Sequence, residues 1–432
     1  MTSKARRPER VSARLPVFPW DTIADAAATA RAHPGGIVDL SVGTPVDPVA
    51  PLIREALAAA GSASGYPTTA GTQELRDAVV AALARRYGIT GLTEAAVLPV
   101  IGTKELIAWL PTLLGLGAGD VVVIPELAYP TYEVGARLVG AHVLPADSLT
   151  QVGPQSPALV YINSPANPTG KVLGVEHLRK VVDWARQRGS VVVSDECYLG
   201  LAWTAEPISV LNPDVCGADH TGLLAVHSLS KSSSLAGYRA GFVAGDSALV
   251  AELLAVRKHA GMMVPTPVQA AMVAALNDDA HENEQRARYA RRRESLLAAV
   301  RNAGFTVDHS DAGLYLWATR GQPCRETVDW FAQRGILVAP GEFYGPRGAR
   351  HVRIALTATD ERVKSAVERL ARVSFWASRS TSAACRDVSV HVPGFAVGGD
   401  AVSGFGDESG EGAQQHAAGG AGHGAVGVGH RD

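Results

Sequence analysis

His227-Ser228-Leu229-Ser230-Lys231, with Arg239 eight residues further on, puts an amine, hydroxyls and a guanidinium into one short span. A lysine amine condenses with an aldehyde to a Schiff base, while hydroxyls and an arginine hold a phosphate. Just upstream, Leu223-Leu224-Ala225-Val226 is a short apolar run that reads as a buried strand. Lys231 therefore falls where a strand ends and the chain turns. Open α/β sheets bind their ligands at that end of their strands. A lone lysine after a strand is ordinarily just solvated, so the reading depends on other motifs.

Five features add to it. Ser194-Asp195-Glu196-Cys197-Tyr198 closes the run Val191-Val192-Val193. A carboxylate there can cap a helix, or pair with a protonated ring nitrogen, with the Tyr198 phenol near a ring oxygen. Asn163-Ser164-Pro165-Ala166-Asn167-Pro168-Thr169-Gly170 is a rigid turn whose Asn167 amide can donate to the same oxygen. Gly102-Thr103-Lys104-Glu105 leads from Val97–Ile101 into an apolar helix, and such a turn offers free N–H groups to an ordinary cap or to a phosphate. Tyr129 follows the run Val121–Ile124, where its ring can pack in the core or lie over a planar ligand. Arg353, inside an apolar run, suits a bidentate carboxylate partner. Pyridoxal 5'-phosphate offers an aldehyde, a phosphate and a ring nitrogen, and a positive nitrogen makes it an electron sink.

The elements that must position these residues follow from periodicity. Residues 121–124, 158–162, 190–193 and 223–226 are aliphatic runs without polar alternation, as in parallel strands covered on both faces. Helical spacing over Glu176–Gln187 supplies a crossover. The large domain is α/β. After about residue 300, strands near 304–307, 313–317 and 351–356 surround helices near 324–334 and 359–371, a smaller α+β domain. Residues 281–299 read as a long connecting helix. From Gly394 onward 13 of 39 residues are glycine, which buries too little apolar surface to offset ordering, so residues 379–432 are expected to be a disordered tail.

With 47% hydrophobic and 19% charged residues and a net charge of −2, the composition is that of an ordinary globular protein and points to no nucleic-acid partner. Four scattered cysteines without a CxxC pair argue against zinc or a disulfide framework and fit a reducing cytoplasm. The longest apolar stretch, 106–117, contains Pro111 and is too short to span a membrane, and residues 15–20 are too short and proline-broken for a signal core. No metal site is expected.

The ordered set Tyr66, Gly102-Thr103, Tyr129, Asn167-Pro168-Thr169-Gly170, Asp195…Tyr198, Ser228…Ser230-Lys231, Arg239 and Arg353 resembles the class I/II aminotransferases of pyridoxal-phosphate fold type I. The runs at 15–21, 197–200 and 261–265 resemble, more narrowly, actinobacterial N-succinyldiaminopimelate aminotransferases. The resemblance implies a mostly parallel seven-stranded sheet in a large domain of residues 47–299. It also implies an N-terminal arm, 1–46, that contributes to a small domain of residues 300–378. Lys231 would hold the cofactor and shuttle a proton. Asp195 would pair with the ring nitrogen, Tyr198 and Asn167 with the ring hydroxyl, and Tyr129 would stack on the ring. Gly102, Thr103, Lys104, Ser228, Ser230 and Arg239 would anchor the phosphate. Tyr66 would reach the site of a second subunit, implying a homodimer. Arg353, with Asn167 and the backbone near Gly43, would clamp the substrate's carboxylate. Lys104, Tyr315, Trp317 and Met262-Met263 are candidates for the distal group.

The implied reaction is ping-pong transamination with glutamate as donor and N-succinyl-2-amino-6-ketopimelate as acceptor. Alternatives on the same scaffold are an alanine or aromatic aminotransferase and a β-lyase. From another class, a cofactor-binding transcriptional regulator needs a helix-turn-helix module, and residues 1–14 are too few for one.

Overall fold

The computed structural model describes residues 10–383. The unalternating apolar runs form the central sheet. Its strands are β2 (Val97–Ile101), β3 (Val121–Ile124), β4 (His142–Pro145), β5 (Leu159–Asn163), β6 (Val191–Asp195), β7 (Leu223–Ser228) and β8 (Ala240–Gly245). Their order is β2-β8-β7-β6-β5-β3-β4, and only β8 runs antiparallel to its neighbours. The chain steps outward from β3 to β4 and then back inside to β5. A reversal of that kind opens a crevice at the carboxyl ends of the strands.

Both faces are covered. Val160, Ile162, Val192 and Ala225 join one buried cluster with Leu178 and Val182 of the helix Val175–Arg188. Their alternates Leu159, Tyr161, Val193, Leu224 and Val226 join another, with Leu106, Ile107 and Leu110 of the helix Thr103–Leu113. Each fully buried aliphatic side chain contributes about 1.5–3 kcal/mol, and the strands supply them on both faces. Register then sets the site. Asn163 lies opposite Asp195, and Asp195 opposite Val226, so the polar residues that end β5, β6 and β7 come side by side.

A four-stranded sheet, β12-β13-β10-β9, follows: β9 (Thr306–Asp308), β10 (Tyr315–Thr319), β12 (Ala339–Pro340) and β13 (His351–Ala355), all antiparallel. Leu316, Ala318, Val352 and Ile354 face its core. The period of two sends Tyr315, Trp317 and Arg353 to the opposite face. Ala26, Ala27 and Ala30 lie in the same core, and β1 (Val38–Asp39) pairs with β11 (Ile336–Leu337), so the N-terminal segment packs with the small sheet.

Several elements depart from the sequence reading. The strands β4 and β8 were not anticipated. β4 is only half covered, and β8, Ala-Gly-Phe-Val-Ala-Gly, carries small residues where two strands press against it. The final helix, Asp360–Ala383, runs past residue 378, where the tail was expected to begin; the rest of the expected tail lies outside the described residues. Among the described residues no helix is long and apolar enough to cross a membrane.

Candidate active site

Lys231 sits in the single helical turn Leu229–Ser232 that leaves β7. Ser228 caps this turn, accepting the Ser230 amide at 3.1 Å. Ser230 is buried and Lys231 half-buried. The Lys231 amine has no hydrogen bond or ion pair among the described residues, and burial lowers its pKa, as do the Arg353 and Arg239 charges. Tyr289 fixes the turn from behind by donating to the Lys231 carbonyl at 3.2 Å.

One strand away, Asp195 is 5% exposed at the end of β6. Its Oδ2 accepts the Tyr132 hydroxyl at 2.7 Å and its Oδ1 the Cys197 amide at 3.2 Å. Burial raises its pKa, and those donors hold it back. Tyr132, in the first turn of the helix Thr131–Val139, stacks on Tyr161 at 4.7 Å and meets Tyr129 edge-on at 5.8 Å. Tyr129 therefore stands beside the carboxylate; burial pushes its hydroxyl up to about 12.

Gly102 and Arg239 form a second cluster. Gly102 caps the helix Thr103–Leu113 with φ at +76°. A Cβ there would collide with the Arg239 guanidinium, so only glycine lets the arginine lie against this turn. Arg239 itself is left-handed, with φ at +56°, and donates to the Ala236 carbonyl at 2.7 Å. The first N–H groups of the helix have no intrahelical acceptor and point where an anion is stabilised. The Thr103 hydroxyl lies 3.5 Å from the Cys197 thiol, which ties this cluster to Asp195. Lys104 is exposed, its ammonium 5.6 Å from the centre of the Phe18 ring.

The third cluster joins the two sheets. Arg353, 3% exposed, donates to the Asn167 Oδ1 at 2.9 Å and the Ser41 carbonyl at 2.7 Å. Its guanidinium lies over the rings of Tyr315 (3.9 Å) and Tyr344 (4.8 Å). Tyrosine neighbours keep its charge stable although burial opposes it, and its Nε has no acceptor among the described residues. Asn167 is held by its amide, which donates to Asn163 Oδ1 at 2.7 Å. With Oδ1 committed to Arg353, the Asn167 Nδ2 has no acceptor among the described residues. Tyr315 sits against Gly43, where a Cβ would strike its ring, and its hydroxyl is 3.1 Å from that of Tyr198.

Thus Lys231, Asp195, Tyr198, Asn167, Tyr129, Thr103, Gly102, Arg239, Gly43 and Arg353 all converge on the crevice. Tyr66 does not join them within the chain: its side chain is 96% exposed. Trp317 is buried, stacked on His351 and edge-on to Tyr344. The sequence reading assigned no part to Tyr132, Asn163 or Ser41. The spacing Tyr129-x-x-Tyr132, one face of a helix turn, was the available signal for the first.

The chain as a whole is similar to known proteins. The sequence profile of aminotransferase class I and II matches residues 36–370. The chain is 79% identical over 360 residues to a probable aminotransferase of Mycobacterium tuberculosis, covering 83% of this chain and 86% of that one. It is 57% identical to the 4-dedimethylamino-4-oxo-anhydrotetracycline transaminase of Streptomyces rimosus, over 82% of this chain and 99% of that one. An LL-diaminopimelate aminotransferase of Dehalococcoides mccartyi is 32% identical over 83% of this chain and 96% of its own length. Among solved structures, an aminotransferase from Neisseria meningitidis superposes with a TM-score of 0.75 at 29% identity, covering 85% of this chain and 99% of that one. By the profile match and these relatives, the chain belongs to the class I and II aminotransferases, a family of pyridoxal-phosphate enzymes.

Proposed function

We propose that this aminotransferase passes the amino group of glutamate to N-succinyl-2-amino-6-ketopimelate, in the cytoplasmic synthesis of diaminopimelate and lysine. The observation that carries the amino-acid half is Arg353: a buried guanidinium aligned by Asn167 and Ser41, near the half-buried Lys231 amine. The acceptor is supported by the runs at 15–21, 197–200 and 261–265 and by relatives named LL-diaminopimelate aminotransferase.

The residues present fit pyridoxal 5'-phosphate. The Lys231 amine and the Asn167 Nδ2 have no partner among the described residues, and the Gly102 turn admits the Arg239 guanidinium only because it lacks a Cβ. When bound, the cofactor supplies the carbonyl that takes up the amino group and a ring that draws electrons from the substrate's Cα. Asp195, its carboxylate held in place by Tyr132 and Cys197, would pair with the ring nitrogen. Tyr129 would stack on the ring, and Asn167 Nδ2 and the Tyr198 hydroxyl would donate to the ring oxygen. Thr103, Ser228, Ser230 and Arg239, with the backbone of Gly102, Thr103 and Lys104, would hold the phosphate. Arg353 and the backbone near Gly43 hold the substrate carboxylate, which orients the Cα–H bond. Lys231, whose lowered pKa favours the free amine, takes the Cα proton and returns it.

The site is completed by a second copy of the chain that contributes Tyr66. Tyr66, 96% exposed and so open to a second chain, supports that arrangement. Mixing Tyr66→Phe and Lys231→Ala chains tests it: shared sites give mixed dimers whose activity differs from either parent.

A second substrate reading comes from the relative at 57% identity, named for a transaminase acting on a tetracycline ketone. A steady-state panel with glutamate as donor separates the readings by following 2-oxoglutarate formation. N-succinyl-2-amino-6-ketopimelate should give the highest kcat/KM; preference for the polycyclic ketone, or for pyruvate or phenylpyruvate, would displace it. Pyruvate release from an amino acid without any acceptor would indicate a β-lyase.

A further inference from the structure

The long helix Ala280–Asn302 carries a polar stripe that the chemistry above leaves unused. His281, Gln285, Tyr289 and Arg292 recur at helical spacing and share one face. At its start, His281 Nδ1 lies 2.7 Å from Asp278 and its Nε2 2.9 Å from the Ser233 hydroxyl, just beyond Lys231. Ser233, His281 and Asp278 stand in the order of a hydrolase triad, but Ser233 is only 3% exposed and no substrate reaches it. The trio anchors the lysine-bearing turn instead, as does Tyr289 through the Lys231 carbonyl.

At the other end of the stripe, buried Arg292 donates twice to Asp47, at 2.8 and 2.6 Å, and once to Asp360 at 2.6 Å. Gln285 donates to the same Asp47 at 2.7 Å. Asp47 lies on the segment that begins with Ser41 and Gly43, and Asp360 opens the last helix of the small domain, after β13 with its Arg353. Burial alone would raise the Asp47 pKa, but Arg292 and Gln285 more than offset it and hold the carboxylate ionised. From His281 to Arg292 the helix rises about 16 Å as one rigid rod.

We propose that Arg292, acting through Asp47 and Asp360, is a positioning residue that sets the carboxylate-binding segment at a fixed distance from Lys231. A charge held this far from water has a strong orientational preference, and removing one partner leaves the other buried and unpaired. The segment at 41–47 would then shift relative to the turn at 228–233, weakening substrate binding without touching the cofactor's contacts. This inference rests on the reading of Arg353 as the carboxylate clamp.

The test measures kcat, KM, cofactor absorbance and melting temperature for holoenzymes with glutamate and 2-oxoglutarate. Arg292→Lys and Asp47→Asn should raise both KM values roughly tenfold while kcat stays within about twofold. The visible absorbance of bound cofactor should not change. Leu296→Ala, a fully buried apolar residue of the same helix, should lower the melting temperature and leave KM alone. An unchanged KM in folded Asp47→Asn overturns the proposal, and so does an equal KM rise in Leu296→Ala. Should Arg292→Lys fail to fold, Asp360→Asn reads the same contact from the surface, and an unchanged KM there also overturns it. Arg353→Lys runs in parallel. If its KM does not move, the clamp reading itself has failed; if it rises while Asp47→Asn does not, only the coupling has failed.

Discussion

The Tyr132 hydroxyl donates to the Asp195 carboxylate across 2.7 Å, in the part of the core where the sheet meets the crevice. A buried carboxylate is costly unless its lone pairs are satisfied, and each hydrogen bond to it stabilises the anion. Tyr132, stacked on Tyr161, is a donor with almost no freedom to leave. Asp195 can thus remain an anion facing the crevice although burial raises its pKa.

Tyr132→Phe keeps the ring and removes this donor. Stability should fall by about 1–3 kcal/mol, as for other hydrogen bonds to buried charged groups. The turnover number should fall by about tenfold, the equivalent of about 1.4 kcal/mol. Thermal melts and steady-state kinetics measure both, and an unchanged turnover would mean the Cys197 amide alone holds the anion.

Lys231→Ala should abolish transamination and leave no cofactor attached after borohydride reduction. Mass spectrometry of the reduced wild-type chain should place the adduct on Lys231. An adduct on another lysine would relocate the site.

Arg353→Leu deletes a charge-assisted contact to the substrate carboxylate, worth about 1.5–3 kcal/mol. KM for glutamate should rise by roughly 10- to 100-fold, while the absorbance of bound cofactor is retained. Glutamate binding as tight as in the parent would remove the clamp.

Gly102→Ala adds a Cβ where φ is +76° and where the Arg239 guanidinium already lies. The backbone strain alone costs about 1–2 kcal/mol. Cofactor dissociation, followed by dialysis and absorbance, should become faster, because Arg239 must leave the turn. Wild-type retention would show that Arg239 has room elsewhere.

Glu196→Gln probes pH. Burial pushes the Glu196 carboxyl up to about 7, so the folded chain holds a proton that the unfolded chain releases near pH 4.5. Its stabilising contribution is complete below about pH 4.5 and is lost as pH rises to about 7. Across that window the variant should therefore gain stability relative to the parent, by up to about 3 kcal/mol. The difference should be read from melting temperatures at pH 5 and pH 8. Parallel curves for the two proteins would mean that Glu196 is ionised throughout. Neighbouring His227 works in the other direction, since burial holds its pKa near 3 and its contribution is lost on acidification.

Much of the site was legible because its residues follow strands in the linear chain. Lys231, Asp195 and Asn167 each come just after an aliphatic run, and parallel strands carry their carboxyl ends to one side whatever their order. Glycine at position 102 likewise marked its turn, because a glycine entering an apolar helix has few other uses. Strand β8 was less visible: its alanines and glycines lack the bulk that marks a buried strand.

The residue types and the local turns were set by the chain's own order of apolar and polar side chains. Partnership across distance was not. That Arg353 bonds Asn167 and Ser41, that Tyr132 bonds Asp195, and that Tyr315 fills the space over Gly43 required the two sheets to meet. Hydrophobic burial is non-directional and leaves its mark on sequence as a period, whereas a hydrogen bond is directional and depends on where two remote backbones come to rest.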